Sequence, residues 1–343
     1  MLLNSSRRGQ PALISVVVPV YFEERVLRDS YARLKAAMLS LSPDFAYELI
    51  FVNDGSTDGS GAILAELAGS DAAVRVVSLS RNFGHQLAIT AGIDHAMGDA
   101  VVLIDADLQD PPEVIPQMVA KWQEGFKVVY GVRRSRAGET RFKLLTAKLF
   151  YRLLSRLSDV KIPLDCGDFR LMDRAVVDEL VQIREESRYI RGLVSWVGFP
   201  QCPVEYERQP RLSGETKFRL GKMLRFALDG ISSFSEAPLR LSGQVGLIVT
   251  VGSLLLMAWI IGGKIMNPAQ TVAGWTSVMV AVLFLGGVQL ISIGVLGEYI
   301  GRIFRQTKGR PLYVVAERIN FDREALGRPQ VRVRPAAVTK VAV

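Results

Sequence analysis

The chain has 343 residues, a formal net charge of +8 and 49% hydrophobic residues, which is enough for about two domains with full cores. Its two cysteines, Cys166 and Cys202, lack the spacing of a zinc site or a disulfide framework, which favours a reducing compartment. The basic residues gather beside long apolar segments, where anionic lipid headgroups explain them better than nucleic acid does. We therefore expect no nucleic acid among the partners.

Strand and helix patterns alternate through the first third of the chain. Four apolar, β-branched runs predict buried strands, and a helical pattern follows each of the first three. The runs are LISVVVPVY from Leu13, YELIFVND from Tyr47, VRVVSLS from Val74 and AVVLIDAD from Ala100. This alternation predicts an α/β fold with a doubly wound, mostly parallel sheet.

Polar residues follow each of the four predicted strands. They are Tyr21, Glu23 and Glu24 after the first, Asn53 and Asp54 after the second, Arg81 and Asn82 after the third, and Asp105 and Asp107 after the fourth. Open α/β sheets bind ligands in the crevice beyond the carboxyl ends of their strands. We therefore predict that the four clusters form one binding site.

The D-A-D sequence of Asp105 and Asp107 indicates a divalent cation. Two carboxylates spaced i, i+2 in an extended chain point the same way, and Mg²⁺ or Mn²⁺ takes such oxygens together with substrate phosphates. The chain has no G-x-G-x-x-G after a strand and no G-x-x-x-x-G-K-[ST], so dinucleotide and P-loop sites are excluded. We predict a nucleotide that is held through Mg²⁺ or Mn²⁺.

Two uncharged stretches follow in the C-terminal third of the chain. No charged residue lies between Arg240 and Lys264, or between Lys264 and Glu298, and each stretch exceeds the ~20 residues that cross a bilayer. We predict two transmembrane helices within residues 239–301, at about 241–263 and 272–297. Before them, residues 216–238 alternate apolar and basic side chains, as an amphipathic helix in the headgroup plane does, with a core-packed helix as the alternative.

Charge predicts the orientation of these segments. The N-terminus has no apolar signal region. From Arg302 to the end there are ten Lys and Arg against three Asp and Glu, whereas residues 264–271 hold one Lys. We expect a multi-pass protein of the cytoplasmic (inner) membrane. Its domain at 1–215, its basic tail at 302–343 and both termini would lie in the cytoplasm.

Six motifs occur in order: VVVPVYFEE, FVNDGSTDGS, LSRNFGHQ, DADLQDPPE, GVRRSR and RLSGETKFRL. Together they resemble the inverting family 2 glycosyltransferases of GT-A fold, and among these the branch that transfers a sugar from a nucleotide to polyprenyl phosphate. Dolichol-phosphate mannose synthase and the bacterial undecaprenyl-phosphate glucosyl- and aminoarabinosyltransferases are similar. The likeness covers about residues 13–235 by motif and extends to the two spans by architecture. The resemblance implies that residues 1–215 form a GT-A catalytic domain.

The resemblance implies roles for the residues that match its motifs. Around the base and ribose it places Pro19, Tyr21, Glu23, Asp54 and Asp105; at the metal Asp105, Asp107 and Gln109; and at phosphates Arg133, Arg141 and Lys217. Asp168 matches an acidic position near the sugar, where it would orient the acceptor, act as a base, or bond to backbone or an arginine. Asp107, Asp168, Lys217, Arg133 and Arg141 form the predicted catalytic set. In one departure, Phe22 stands where the family usually has Asn.

The acceptor that this branch uses simplifies the chemistry. A phosphate monoester has a second pKa near ~6, so polyprenyl phosphate is already an anionic nucleophile and hardly needs a base. The harder problem is repulsion between two anionic substrates, about 4 kcal/mol for one pair of charges at 4 Å and an effective dielectric of 20. The metal and the basic residues would therefore screen the substrates.

We thus expect metal-dependent, inverting transfer of a hexose or pentose from a nucleotide sugar, with UDP favoured, to polyprenyl (undecaprenyl) phosphate at the cytoplasmic membrane face. The resemblance also implies a homo-oligomer, such as a tetramer. A processive polysaccharide synthase is the alternative enzyme, but the chain lacks its Q-x-x-R-W motif. A non-catalytic, sugar-nucleotide-binding scaffold of glycan export is the alternative outside enzymes.

Overall fold

The computed structural model describes residues 11–134, 166–186, 188–208 and 274–321, together with short helical pieces between 239 and 259. The chain forms two compact units. The first, the sheet unit, contains residues 1–144, 162–217 and 311–343, and the second, the helical unit, contains residues 145–161 and 218–310. Arg141, Lys217 and the amphipathic segment 216–238 lie outside the described residues.

The sheet unit is built on eight strands in the order β7-β5-β6-β4-β1-β2-β3-β8. The strands are β1 (Ala12–Val20), β2 (Phe45–Asn53), β3 (Val74–Leu79), β4 (Ala100–Leu103), β5 (Val128–Arg133), β6 (Cys166–Asp173), β7 (Gln201–Tyr206) and β8 (Val315–Ile319). The helices of this unit are α1 (Leu27–Leu39), α2 (Ser60–Ser70), α3 (His85–His95), α4 (Ile115–Gln123), α5 (Arg174–Gln182) and α6 (Ile190–Val197). Strand and helix alternate through β4, as predicted.

The sheet is mixed. Strands β1, β2, β3 and β4 are parallel, as the sequence predicts, and β5 and β7 form a further parallel pair. Strand β6 runs antiparallel between β4 and β5, and β8 runs antiparallel beside β3. The expectation of a mostly parallel sheet therefore describes the first four strands better than it describes the whole sheet.

Helices cover both faces of the central strands, which explains why β1 is apolar throughout. On one face, Val16 and Val18 join the core cluster that includes Leu34 and Met38 of α1. On the other face Val17 meets α3 so closely that a Cβ added to Gly92 would lie 2.1 Å from Val17 Cγ1. Glycine at this position lets the helix backbone approach the sheet.

In the helical unit, helix α7 (Trp275–Thr307) has 33 residues. Among the residues that the structure describes, one helical segment of 24 residues, Phe284–Thr307, is long and apolar enough to cross a bilayer, with a mean hydropathy of 1.4 over an 18-residue window. Large apolar side chains on it, such as Leu290 and Ile291, are exposed. For the other predicted span, residues 242–249 are helical, and most of the remainder lies outside the described residues.

Strand β8 was not predicted, because its residues belong to the segment assigned to the basic tail. It pairs with β3 over Val76 to Leu79. Asn320 follows it with φ +63°, and its side-chain amide donates to the carbonyls of Ala68 (2.7 Å) and Val74 (2.8 Å). Asparagine tolerates this left-handed conformation. Pairing and side-chain bonds thus tie the residues after α7 into the sheet unit.

Candidate active site

The carboxyl ends of β4, β1 and β2 are neighbours, because these strands are adjacent and parallel. Tyr21 and Phe22 follow β1, are each 40% exposed, and have ring centroids 4.3 Å apart. Phe22 has φ +58°, a left-handed backbone conformation that is unfavourable for a bulky residue and that asparagine accepts more readily. Phe22 therefore adds an exposed aromatic surface at the end of β1 at the cost of backbone strain.

The segment after β1 donates backbone hydrogen bonds to the loop after β2 and to the first residue of α2. The amide of Phe22 donates to Ser56 Oγ (3.2 Å), and the amide of Glu23 donates to Ser60 Oγ (3.1 Å). Pro19 is buried within β1, where it pairs with Val52. Of the residues predicted around the base and ribose, Tyr21 and Glu23 thus lie at the carboxyl end of β1, while Pro19 lies within that strand.

Asp54 is buried and accepts hydrogen bonds from the loop before α3. Its Oδ1 accepts from the Phe83 amide (2.7 Å), and its Oδ2 accepts from the Gly84 amide (3.0 Å) and Asn82 Nδ2 (2.9 Å). Burial raises its pKa, whereas these amides act to lower it. The carboxylate expected at the nucleoside thus shapes the loop through which α3 begins.

Asp105 and Asp107 lie beyond the end of β4, in the segment 105–110, which we call the aspartate turn. Strand β4 ends at Leu103, and the buried Leu108 has φ +58°. The Gln109 amide donates to Asp107 Oδ1 (3.1 Å). In an extended D-x-D segment, strand geometry would point the two carboxylates the same way. Here the turn, and not the strand, determines where the two carboxylates lie.

The electrostatics of Asp105 suit a cation. Burial, followed by repulsion from the carboxylates of Asp168, Asp107 and Asp110, raises the pKa of Asp105 to about 6, although His85 opposes this. Carboxylates crowded in this way favour a neighbouring cation. No group of three or more His, Cys, Asp or Glu arranged for a metal occurs among the described residues. An ion held by two aspartates and substrate phosphates fits this donor set.

Gln109, the third predicted metal contact, has an arginine partner. Its Oε1 accepts from Arg208 Nη2, two residues beyond β7. The side-chain oxygen expected at the metal is thus bonded to a cation, and Arg208 is brought beside the aspartate turn. Sequence reasoning missed Arg208 because nothing in the chain signals that residues 107–109 and 208 meet.

Asp168, on β6, is buried and lies at the centre of an ion cluster. Arg191 of α6 donates to it from Nε (2.8 Å) and Nη2 (3.2 Å), and His85 Nε2 lies 3.1 Å from its Oδ2. Burial would raise the pKa of Asp168, but the bond from His85 and the charge of Arg191 outweigh it and hold the pKa well below its usual range. Such a carboxylate is a weak base. The geometry contains the arginine bond that was one of the three alternatives for this residue.

His85 joins this cluster to the aspartate turn. Its Nε2 lies 3.6 Å from Asp105 Oδ1 as well as 3.1 Å from Asp168. The residue opens α3, the helix whose preceding loop Asp54 holds. The sequence motif N-F-G-H does not show that its histidine contacts a residue of β6.

Arg133 ends β5 beside Tyr206, which ends β7. Its Nε donates to the Tyr206 hydroxyl (3.3 Å), and its Nη2 lies 3.7 Å from Asp110 Oδ1. Arg133 is one of the residues predicted at a phosphate, and its guanidinium is partly exposed. Its companion predictions Arg141 and Lys217 lie outside the described residues, so their roles stay predictions.

Comparisons with known proteins identify the family of this chain. Residues 15–181 match the family model described as glycosyl transferase family 2, and residues 237–303 match the one described as the GtrB C-terminal hairpin. The uncharacterized glycosyltransferase YkcC of Bacillus subtilis is 51% identical over 92% of this chain and 97% of its own length. A bactoprenol glucosyl transferase of Shigella phage SfX is 46% identical over 89% of this chain and 99% of its own length. The chain therefore belongs to the family 2 glycosyltransferases.

Proposed function

We propose that this glycosyltransferase moves a sugar from a nucleotide sugar, with UDP-glucose as the expected donor, to polyprenyl phosphate at the cytoplasmic face of the membrane. The observation that carries the proposal is the 46% identity to a bactoprenol glucosyl transferase over 89% of this chain and 99% of that protein. Bactoprenol is a polyprenyl alcohol, and its phosphate is the acceptor that the motifs also imply. Glucose is favoured over other hexoses and pentoses because the relative transfers a glucosyl group by name.

The proposed site holds a divalent ion, Mg²⁺ or Mn²⁺, at Asp105 and Asp107. The ion would neutralise charge on the leaving diphosphate as a Lewis acid. The raised pKa of Asp105 supports this assignment, since a cation would relieve the repulsion among the carboxylates around it. Gln109 would have to break its hydrogen bond with Arg208 before it could join Asp105 and Asp107 at the ion.

The chain's own residues bind and orient the two anionic substrates. Arg133, with Arg141 and Lys217 as further predictions, would screen phosphate charge. Asp168 would remain ionised and paired with Arg191, which supports a reaction without a carboxylate base. The acceptor phosphate oxygen attacks the anomeric carbon, the bond from that carbon to the diphosphate breaks, and the diphosphate leaves with the electron pair. Attack from the face opposite the leaving group inverts the anomeric centre.

We further propose that the helical unit crosses the membrane twice. Residues 166–208 and residues 311–321 belong to the same compact unit, in which β8 pairs with β3. A segment that leaves a folded domain and returns to it begins and ends on one side of a bilayer, so it crosses an even number of times. The match of residues 237–303 to a C-terminal hairpin supports two crossings. The homo-oligomer implied by the resemblance stays a prediction.

Metal-dependent transfer is tested with the full chain in detergent, undecaprenyl phosphate and a panel of labelled UDP- and GDP-sugars, scored for lipid-linked product. We expect product from UDP-glucose, and its loss on adding EDTA or in Asp107→Asn. Asp44→Asn is the matched control, since Asp44 is exposed just before β2 begins, at the opposite end of that strand from the site. Full activity of Asp107→Asn in EDTA would contradict the metal proposal, and product from no sugar would contradict the transferase proposal.

The two-crossing topology is tested by cysteine labelling in intact cells, after replacement of the native cysteines. Asn267→Cys lies in the predicted loop between the spans, and Thr339→Cys lies in the basic tail. We expect an impermeant maleimide to label the first variant in intact cells and the second only after permeabilisation. Labelling of both in intact cells, or of neither, would contradict the proposed topology.

A further inference from the structure

We propose that Tyr206 and Asp110 are positioning residues that hold the guanidinium of Arg133 in place for a substrate phosphate. The inference rests on the proposed function, because it takes Arg133 to bind phosphate. It adds a residue pair for which the sequence motifs assign no role. Tyr206 comes from β7 and Asp110 from the turn after β4, so the network joins three separate parts of the site.

The contacts form a closed triangle. Tyr206 donates its hydroxyl hydrogen to Asp110 Oδ1 (2.5 Å), and the same hydroxyl oxygen accepts from Arg133 Nε (3.3 Å). Arg133 Nη2 approaches Asp110 Oδ1 at 3.7 Å. The tyrosine hydroxyl therefore donates one hydrogen bond to the carboxylate and accepts another from the guanidinium, which uses both its donor and its acceptor capacity.

The three side chains of this triangle differ in their exposure to solvent. The side chain of Asp110 is 2% exposed, whereas that of Arg133 is 25% exposed. Tyr206 is buried between them, and its ring meets Phe169 edge to face at a centroid distance of 5.6 Å. The acid and the tyrosine are therefore fixed by packing, and the guanidinium is the member of the triangle with the most access to a ligand.

Two glycines make room for this arrangement. A Cβ at Gly131 would lie 2.7 Å from Tyr206 Cε1, and a Cβ at Gly167 would lie 3.0 Å from Arg133 Nη2. Strand register also fixes the pair, because Arg133 and Tyr206 are direct partners in the parallel pairing of β5 and β7. The space and the register are thus fitted to the tyrosine ring and the arginine side chain.

A guanidinium that is held in position before the phosphate binds should bind the phosphate more tightly. A free arginine side chain loses rotamer entropy when it is fixed, and a preorganised one loses less when it binds the phosphate. Removing the Tyr206 hydroxyl should therefore weaken phosphate binding while leaving Arg133 present. The phosphate belongs to the nucleotide diphosphate or to the acceptor lipid, and these two sources share the same recognition chemistry.

The test measures kcat and KM of the full-length enzyme in detergent, with UDP-glucose and undecaprenyl phosphate varied in turn. We expect Tyr206→Phe to lower kcat/KM about tenfold, equivalent to about 1.4 kcal/mol. The substrate whose KM rises identifies the source of the phosphate. Tyr130→Phe is the matched control, since Tyr130 is a half-buried tyrosine of the adjacent strand β5. It should keep the wild-type constants.

A double-mutant cycle separates positioning from a structural role. If Tyr206 acts through Arg133, Tyr206→Phe causes no further loss in the Arg133→Ala background, and Asp110→Asn behaves in the same way. Losses that add in full, or a Tyr206→Phe enzyme with wild-type constants, would overturn the inference while leaving the proposed function standing. Wild-type activity of Arg133→Ala would overturn the inference and also remove Arg133 from the proposed phosphate site.

Discussion

Substitution of Arg191 by alanine should destabilise the sheet unit far more than the loss of a similar ion pair at its surface. Arg191 contacts Asp168 through two nitrogens, at 2.8 and 3.2 Å, and the carboxylate is only 7% exposed. Arg33 contacts Glu113 through two nitrogens at 2.9 and 2.7 Å, but that carboxylate is 57% exposed. The two pairs have the same chemistry and differ in burial.

Burial sets the magnitude of the effect. Removing one member of a buried pair leaves an uncompensated charge and costs about 3–5 kcal/mol, whereas an exposed pair contributes about 0–1 kcal/mol. His85 remains 3.1 Å from Asp168 and keeps a hydrogen bond to it, so we take the lower end, about 3 kcal/mol, for Arg191→Ala. Each kcal/mol lowers the Tm of a domain of 150–250 residues by about 2–4 °C. The expected loss is about 6–12 °C for Arg191→Ala and at most about 4 °C for Arg33→Ala.

The assay is thermal unfolding of the full-length variants in one detergent at one protein concentration. Arg191→Lys is added because it restores the charge with fewer donors, and it should fall between wild type and Arg191→Ala. Equal Tm values for Arg191→Ala and Arg33→Ala would refute the reasoning, since they would mean that the Asp168 carboxylate is not held by Arg191.

Three further predictions concern stability and use the same assay. Phe22→Asn should raise the free energy of unfolding by about 1 kcal/mol, because asparagine relieves a left-handed φ of +58°; an unchanged or lower Tm would contradict this. Gly55→Ala should lower stability by about 3 kcal/mol, because Gly55 has φ +67° and the added Cβ would lie 2.4 Å from the backbone carbonyl carbon of Arg81. As a control, Gly69→Ala should stabilise the protein slightly, because Gly69 lies in α2 with open space around it. Tyr313→Phe should cost about 1 kcal/mol, because it removes a hydroxyl that donates to Asp94 at 2.7 Å; a loss as large as that of Gly55→Ala would indicate a different role.

The fold of the first hundred residues could be predicted because local pattern and global structure agree there. Parallel strands buried on both faces must be apolar throughout, and β1 to β4 are. The later strands are harder to predict from sequence. Strand β6 runs antiparallel between two others, and β8 lies some 240 residues from its partner β3, as the pairing of Val76 with Ile319 shows. Neither the orientation nor the partner of a strand is encoded in a pattern of five to eight residues.

The sequence predicts which polar residues gather at the strand ends, but not the contacts that they make. Convergence at the strand ends follows from parallel pairing, and it brings Tyr21, Asp54 and Asp105 to one edge. Which atom bonds which depends on turns that the motifs do not specify. Asp54 thus bonds loop amides, and Gln109 bonds Arg208.

The three non-glycine residues with positive φ among those described show where local preference gives way to tertiary structure. Phe22 follows β1, Leu108 lies in the turn after β4, and Asn320 follows β8. Asparagine suits this conformation, but phenylalanine and leucine do not, so the first two turns cost stability. Leu108 offsets part of its cost through nearly complete burial, since only 2% of it is exposed. Phe22 is 40% exposed and gains less from burial, and backbone strain beside the proposed nucleotide site is the pattern expected of a residue that serves binding more than stability.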